Sequence, residues 1–222
     1  MKNYSYIWIS LIVLVFGIYF IPKIVDRFKD SEVVESDRLS VAHKRELKVI
    51  GKAPAFSFTN QDGRTVTDAD YEGKVHLVEF FFSSCPTICP IMNENMVKLQ
   101  SKFGKNTGFG IASITIDPEN DTPQQLKKHA AELGVTMAQW NFLTGKEEDI
   151  YALAGKFKLY VGKNNEAAGG FEHSGLFALI DKDGNIRSRM MENVEYPMIY
   201  YDGTDDANIK MLQEDIEQLL KE

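Results

Sequence analysis

Two cysteines are the residues of this chain best suited to chemistry, and they are the only two in a sequence of 222 residues. Cys85 and Cys89 are four positions apart and follow an apolar stretch. Positions four apart on a helix place their Cβ atoms about 5–6 Å from each other, so a small adjustment would permit a disulfide, which needs roughly 3.5–4.5 Å. In the reduced state the same two thiolates would hold one soft metal ion. The spacing alone leaves both uses open.

A strand and a helix are predicted to position the two cysteines. Residues 74–82 form a long apolar strand that runs into the pair. The positive end of the following helix is expected to lower the pKa of both thiols and so to favour the thiolate, the form that binds metals and attacks disulfides. That helix is predicted from apolar side chains that recur at helical spacing, namely Met92, Met96, Leu99 and Phe103.

Two β-hairpins are predicted near the two ends of the domain. One turns at Asp62-Gly63 and the other at Asp183-Gly184, and each turn is flanked by segments rich in β-formers. An Asp-Gly pair between such segments is a strong short-range hairpin signal.

Strands and helices alternate between the hairpins. The pattern predicts a strand over 109–116, a helix that begins at Thr122, and a helix with capping-box spacing from Thr144. A loop rich in glycine, asparagine and alanine follows over 161–170, and an amphipathic helix comes last. This order predicts an α/β sandwich on a mixed central sheet.

An apolar run of 18 residues without a charged side chain occupies positions 4–21. It is just long enough to span a bilayer. A cleaved signal peptide is the alternative, but no small-x-small cleavage site precedes the charged stretch, and no cysteine follows for lipid attachment. The run is apolar on every side, which disfavours a buried helix of a soluble domain. We therefore predict a transmembrane anchor over 1–24, a charged linker over 25–50 and one domain over 51–222.

The composition excludes one class of partner. The net charge is −7, and the part after residue 24 carries −9, with 23 basic and 32 acidic side chains. An acidic body of this kind repels phosphate backbones, so nucleic acid is not an expected partner. The hydrophobic content of 44% suffices for a core, so the cysteines are not needed to hold a mini-protein together.

Four stretches together resemble the Sco/SenC family, the membrane-anchored, thioredoxin-fold proteins of copper handling and cytochrome c oxidase assembly. The likeness covers about residues 51–222. Each stretch alone is a weak signal, and all four in this order make a strong match. They are CPTICP at 85–90, TIDPENDTP at 115–123, WNFLTG at 140–145, and His173-Ser174 before a strand.

The resemblance implies a thioredoxin-like fold and a copper site. It implies that Cys85, Cys89 and His173 bind one copper ion, and that Asp117 lies near the site and influences its metal and redox chemistry. Two thiolates and an imidazole suit Cu(I), and with a fourth ligand they suit Cu(II). His173 is 84 positions from Cys89, so only the implied topology would bring the two together.

Glu79 is a departure from the family pattern, in which an apolar or aromatic residue is common at this position. It lies in the middle of the predicted strand, six residues before Cys85. Thioredoxins resemble this chain in having an acid at that offset, where it moves protons for the thiols. A buried carboxyl group has a raised pKa and would serve as such a base. The alternative is that Glu79 reaches a sheet edge and pairs with a lysine.

Two functions of different class follow. In the first, the chain is a metallochaperone that passes copper to cytochrome c oxidase subunit II or a similar acceptor. In the second, it is a thiol-disulfide oxidoreductase of the cell envelope, in which Cys85 attacks and Cys89 resolves the mixed disulfide. A thiol reductant or a copper donor is a further expected partner. The two functions are compatible, because copper loads only when the pair is reduced.

The expected location is the inner (cytoplasmic) membrane, with a single span and the domain on the periplasmic side. The charges around the apolar run favour the opposite orientation. Lys2 lies on one side, and Lys23, Arg27 and Lys29 lie on the other, so positive-inside counting predicts a cytoplasmic domain. The periplasmic expectation rests on the family resemblance.

Overall fold

The chain divides into two units, Met1–Arg45 and Glu46–Glu222. The computed structural model describes Leu14, Phe16 and residues 19–21, 47–164, 166–190 and 199–222. In the first unit the described residues are helical. Among all the residues so described, no helix combines the length and the apolar character needed to traverse a bilayer. The other positions of the predicted anchor over 1–24, and the predicted linker as far as residue 46, lie outside the described residues.

The second unit alternates strands with helices. Its strands are β1 (Leu47–Lys52), β2 (Ser57–Asn60), β3 (Thr65–Thr67), β4 (Val75–Phe81), β5 (Phe109–Thr115), β6 (Trp140–Thr144), β7 (Val161–Lys163), β8 (Phe171–His173), β9 (Leu176–Ile180), β10 (Asn185–Arg189) and β11 (Tyr201–Asp202). Its α-helices are α1 (Cys89–Phe103), α2 (Pro123–Glu132), α3 (Glu147–Phe157) and α4 (Asp206–Lys221), and a 3₁₀ turn spans Asp68–Tyr71.

The central sheet is mixed, as the sequence predicts. In the part of the chain that the structure describes, nine strands form one sheet in the order β1-β10-β9-β4-β5-β6-β2-β3, with β11 beside β9. Strands β4, β5 and β6 are parallel to one another, and β9 runs antiparallel to β4. Strands β7 and β8 form a separate antiparallel pair.

Helices cover both faces of the central strand β4, whose seven residues are all buried. Consecutive side chains of a strand point to opposite faces of the sheet. Phe80 packs against Phe157 of α3, with ring centroids 6.3 Å apart, whereas Phe81 stacks on His129 of α2 at 5.6 Å. Helices α2 and α3 therefore lie on opposite faces, which confirms the predicted α/β sandwich.

Both predicted hairpins are present, as β2–β3 and β9–β10. The predicted cap of α2 is also confirmed, because the hydroxyl oxygen of Thr122 accepts a hydrogen bond from the backbone N–H of Gln125 at 3.3 Å. The prediction of a capping box at Thr144 is wrong. Thr144 ends strand β6 and pairs with Thr59 of β2, and α3 begins after Lys146 without a side-chain cap.

Several strands were not predicted, and β1 and β7 show why. Strand β1 begins at Leu47, inside the stretch predicted as linker, and pairs with β10 at the edge of the sheet. Leu47 is its one buried residue, so the strand lacks the alternation that would reveal it. Strand β7 lies in the predicted loop over 161–170, and at three residues it is too short for a periodic signal.

Candidate metal centre

The cysteine pair lies where β4 passes into α1. Cys85 is in the connecting loop, and Cys89 is the first residue of the helix. Pro90 occupies the first turn, where its missing N–H removes no intrahelical hydrogen bond. Both cysteines are buried, with 8% of Cys85 and 2% of Cys89 exposed, and neither is in a disulfide. The helix therefore fixes Cys89, whereas the position of Cys85 depends on the loop.

Strand β8 brings His173 to the cysteines. Its Nε2 lies 3.2 Å from the Sγ of Cys89, and the ligand atoms of Cys85, Cys89 and His173 all lie within 4.8 Å of one another. The Nδ1 of His173 lies 3.2 Å from the carbonyl oxygen of Ser174. Donation of the Nδ1 proton to that carbonyl leaves the lone pair of Nε2 facing the sulfurs. Within the described ranges, no other group of three potential metal ligands is present.

The β7–β8 pair packs on Phe82, the residue that follows β4. Phe82 is buried, and its ring lies 5.3 Å from that of Phe171 and 5.8 Å, nearly perpendicular, from that of His173. Gly169 has φ +86°, and a Cβ atom there would lie 2.8 Å from the Phe82 ring. The glycine-rich character of this segment is visible in the sequence, but the contact that requires Gly169 is not. We therefore expect Phe82 and Gly169 to influence how closely His173 approaches the sulfurs.

The two thiols differ in acidity. A hydrogen bond from the Cys89 thiol, with a further one from the backbone N–H of Cys89, holds the pKa of Cys85 well below its usual range, although burial acts in the opposite direction. The neighbouring Cys85 sulfur and burial raise the pKa of Cys89. The sequence-based expectation of two acidic thiols is met by Cys85 and is wrong for Cys89, because two adjacent buried thiolates repel each other and one keeps its proton.

Glu79 lies in the middle of β4 and is 1% exposed. Its Oε1 accepts a hydrogen bond from the hydroxyl of Ser113 at 2.6 Å, and that hydroxyl oxygen accepts one from the indole N–H of Trp140 at 2.9 Å. Its Oε2 is buried and has no hydrogen-bond partner among the described residues. The alternative of an edge position is wrong, because β4 lies between β9 and β5.

The charge of Glu79 is linked to the cysteine site. Burial raises the pKa of Glu79 to about 7, while the hydrogen bond from Ser113 acts in the opposite direction. The negative charge of Glu79 in turn helps to raise the pKa of Cys89. The carboxyl group therefore has the acidity of a base that works near neutral pH.

Asp117 follows β5 and is buried, but it is not part of the three-residue cluster. Its carboxylate accepts a hydrogen bond from the side-chain amide of Asn120 at 2.9 Å. Its carbonyl oxygen accepts the backbone N–H groups of Asn120 and Asp121. These contacts organise the loop after β5, and an influence of Asp117 on the metal chemistry stays a prediction.

The three ligand atoms fit a single soft metal ion. Metal–ligand distances of roughly 2.0–2.3 Å place any two ligand atoms of one ion at most about 4.6 Å apart. The observed separations, within 4.8 Å, come close to that limit and need only small side-chain movements. Two sulfurs and one imidazole nitrogen form a donor set that suits Cu(I) better than a hard cation.

Known proteins resemble this chain over most of its length. The family model described as SCO1/SenC matches residues 45–202. The SCO1 protein homolog of Bacillus subtilis is 36% identical over 159 residues, which cover 70% of this chain and 82% of that protein.

Two solved structures extend the comparison. The first is BsSco, described as a member of the Sco family of cytochrome c oxidase assembly proteins with a disulfide switch. It has a TM-score of 0.65 at 32% identity and covers 79% of this chain and 98% of its own. The second is ScoI of Arabidopsis thaliana with copper bound, with a TM-score of 0.58 at 26% identity, covering 76% of this chain and 99% of its own. The family model matches well over half of the length of this chain, and the chain therefore belongs to the SCO1/SenC family.

Proposed function

We propose that the chain is a copper-binding assembly protein, which holds one copper ion on Cys85, Cys89 and His173 and delivers it to a copper site of cytochrome c oxidase. The convergence of these three side chains on one point carries the proposal. The copper-bound ScoI structure supports copper as the cargo. The description of BsSco as a member of an assembly family supports cytochrome c oxidase as the destination.

Loading exchanges a proton for the metal. The Cys85 thiolate supplies the first sulfur, and Cys89 must lose its proton before it supplies the second. We assign Glu79 as the group that accepts this proton, because its pKa of about 7 lies near neutral pH and its Oε2 has no hydrogen-bond partner among the described residues. The neutral Nε2 of His173 completes the ligand set.

Release proceeds by ligand exchange with the acceptor. Sulfur and nitrogen donors of the acceptor replace those of this chain one at a time, so the ion is never released into water. His173 lies on the separate β7–β8 pair rather than on the main sheet, so it is the ligand that can leave with the least disturbance of the core. We propose subunit II of the oxidase, or a similar copper protein, as the acceptor, and a thiol reductant or a copper donor as the partner that restores the loaded state.

Thiol-disulfide exchange is the second candidate, favoured by the contrast between the two thiols. The Cys85 thiolate would attack one sulfur of a partner disulfide, form a mixed disulfide and release the other partner sulfur as a thiolate. Cys89, once its proton has passed to Glu79, would attack the sulfur of Cys85 and release the second partner thiolate. The partner gains two electrons, and the Cys85–Cys89 pair ends as a disulfide. The disulfide switch described for BsSco supports this candidate.

We further propose that residues 4–21 anchor the chain in the inner membrane and that the domain works on the periplasmic side. The length and apolar character of this run support the anchor. The family resemblance supports the orientation.

Copper stoichiometry tests the proposed function directly. The full chain, purified in detergent and reduced, is expected to bind one Cu(I) per chain in competition with a chromogenic Cu(I) chelator. The same chain oxidised to the Cys85–Cys89 disulfide is expected to bind none, because the disulfide removes both thiolates. Reduced chain that leaves all the copper on the chelator, yet still reduces a model disulfide, would favour the second candidate.

Gly169→Ala is expected to lower the Cu(I) affinity by about tenfold. The added Cβ meets the ring of Phe82 at 2.8 Å and the Cδ of Pro86 at 3.2 Å, and a left-handed backbone costs an alanine about 1–2 kcal/mol. The β7–β8 pair would move outward and take His173 with it.

Gly170→Ala is the matched control for this prediction. Its φ of +83° imposes the same backbone strain, but no atom lies within 4 Å of the added Cβ. Equal losses of Cu(I) affinity in the two variants would show that backbone strain alone, and not the contact with Phe82, controls the approach of His173.

A further inference from the structure

A buried carboxyl group outside the ligand cluster is bonded to the cysteine loop. Asp121 is 1% exposed, and its carboxyl oxygens accept hydrogen bonds from the backbone N–H of Ser83 at 3.0 Å, from the hydroxyl of Ser83, and from the hydroxyl of Thr115 at 2.5 Å. Among the described residues, no lysine or arginine forms an ion pair with it. The group therefore depends on these three donors, and two of them come from Ser83.

Asp121 is itself held firmly. It lies directly before Thr122, the cap of α2, and its own N–H donates to the carbonyl oxygen of Asp117 at 2.9 Å. The hydroxyl oxygen of Thr115 also accepts the backbone N–H of Asp117 at 3.0 Å. The loop after β5 is thus held by hydrogen bonds of its own, so it can fix the position of the loop that carries Cys85.

The loop that Asp121 holds determines the position of Cys85. Strand β4 ends at Phe81, so the N–H of Ser83 lies beyond the ladder of strand hydrogen bonds. Helix α1 fixes Cys89 and the β7–β8 pair fixes His173, whereas Cys85 precedes the helix. Its backbone N–H bonds to the carbonyl of Phe82 at 3.2 Å. Two residues away, Ser83 connects the loop to other elements through its bonds with Asp121 and through a longer bond from the side-chain amide of Gln125 on α2, at 3.4 Å.

We propose that Asp121 is a positioning residue for the metal centre, which acts through Ser83 to hold the Sγ of Cys85 against Cys89 and His173. The test of this inference by Cu(I) affinity rests on the proposed function. Its test by the reduction potential of the Cys85–Cys89 disulfide does not. Outer-shell partners of metal ligands typically change metal affinity by 10–100-fold when they are removed.

Asp121→Ala is expected to lower the Cu(I) affinity of the reduced full chain by about 10–100-fold. It is also expected to make the reduction potential of the Cys85–Cys89 disulfide less negative. A freer loop lowers the effective concentration of one thiol at the other, and a tenfold decrease corresponds to about 30 mV for this two-electron couple. Ser83→Ala keeps the backbone N–H and removes only the hydroxyl, so a smaller change in the same direction is expected.

Asp121→Asn and Asp215→Asn form the matched pair. Asp215 is also 1% exposed and accepts hydrogen bonds from the guanidinium of Arg189 and the hydroxyl of Tyr201, but it lies on α4 and makes no bond to the cysteine loop. The amide of Asp121→Asn preserves shape and offers one acceptor oxygen where three donors converge. We expect Asp121→Asn to shift both the affinity and the potential, and Asp215→Asn to lower the free energy of unfolding without shifting either.

Each outcome decides the proposal. Folded Asp121→Asn with wild-type affinity and potential overturns it, as do equal shifts in the Asp121 and Asp215 variants, which would reflect global stability. If Asp121→Ala does not fold, Asp121→Asn and Ser83→Ala give the answer. If the wild-type chain binds no copper, the proposed function fails, and the disulfide potential alone still decides the role of Asp121.

Discussion

His173→Ala is expected to lower the affinity for Cu(I) by a hundredfold or more and to leave disulfide exchange by Cys85 and Cys89 close to the wild-type rate. Loss of an outer-shell partner already costs about 10–100-fold in metal affinity, and His173 is placed as a direct ligand, with Nε2 3.2 Å from the Sγ of Cys89. Thiol exchange needs no imidazole ligand. Chelator competition measures the first effect, and the rate of reduction of a model disulfide measures the second.

The control for His173→Ala changes the same strand without removing a ligand. Glu172 is exposed on β8, and its carboxylate accepts a hydrogen bond from the side-chain amide of Asn164 at 2.8 Å within the hairpin. Glu172→Ala should therefore loosen β7–β8 and retain most of the copper affinity. If copper binding and disulfide exchange fall together in His173→Ala, or if neither changes, then the claim that His173 serves copper binding and not thiol exchange is wrong.

The cysteine half of the site could be predicted from local sequence, and the histidine half could not. Cys85 and Cys89 are neighbours on the chain, so their proximity follows from backbone geometry. The contact between Cys89 and His173 spans 84 positions and depends on the sheet order, which sequence periodicity does not determine. Only the family resemblance predicted that His173 lies at the site, and in the structure it lies next to Cys89.

The properties that depend on several elements together were also beyond the sequence. Strand β6 was not predicted, and with it the position of Trp140, whose indole N–H reaches Ser113 and through it Glu79. The helix end after the cysteines predicted two acidic thiols, but the thiols lie close enough to share one proton. The fold class followed from alternating strands and helices, whereas short and edge strands such as β1 and β7 leave no periodic signal.

Glu79→Gln is expected to remove a pH dependence of stability of roughly 3 kcal/mol. The pKa of Glu79 is about 7 in the folded chain against a reference value of 4.5, and each pKa unit corresponds to about 1.4 kcal/mol. Between pH 4.5 and 7 the folded chain retains a proton that the unfolded chain has lost, so the free energy of unfolding falls as the pH rises through this window. Glutamine does not titrate, and its Oε1 can still accept the hydrogen bond from Ser113.

The measurement is urea unfolding of the full chain in detergent at several pH values from 4 to 8. Wild type should lose about 3 kcal/mol relative to Glu79→Gln over that range. Glu72→Gln, at an exposed position just before β4, reports the effect of removing one acidic charge alone. A constant difference between wild type and Glu79→Gln would mean that the carboxyl group does not change its charge near neutral pH. It could not then take the proton of Cys89 during loading, and that proton would have to leave through solvent at the exposed side of the site.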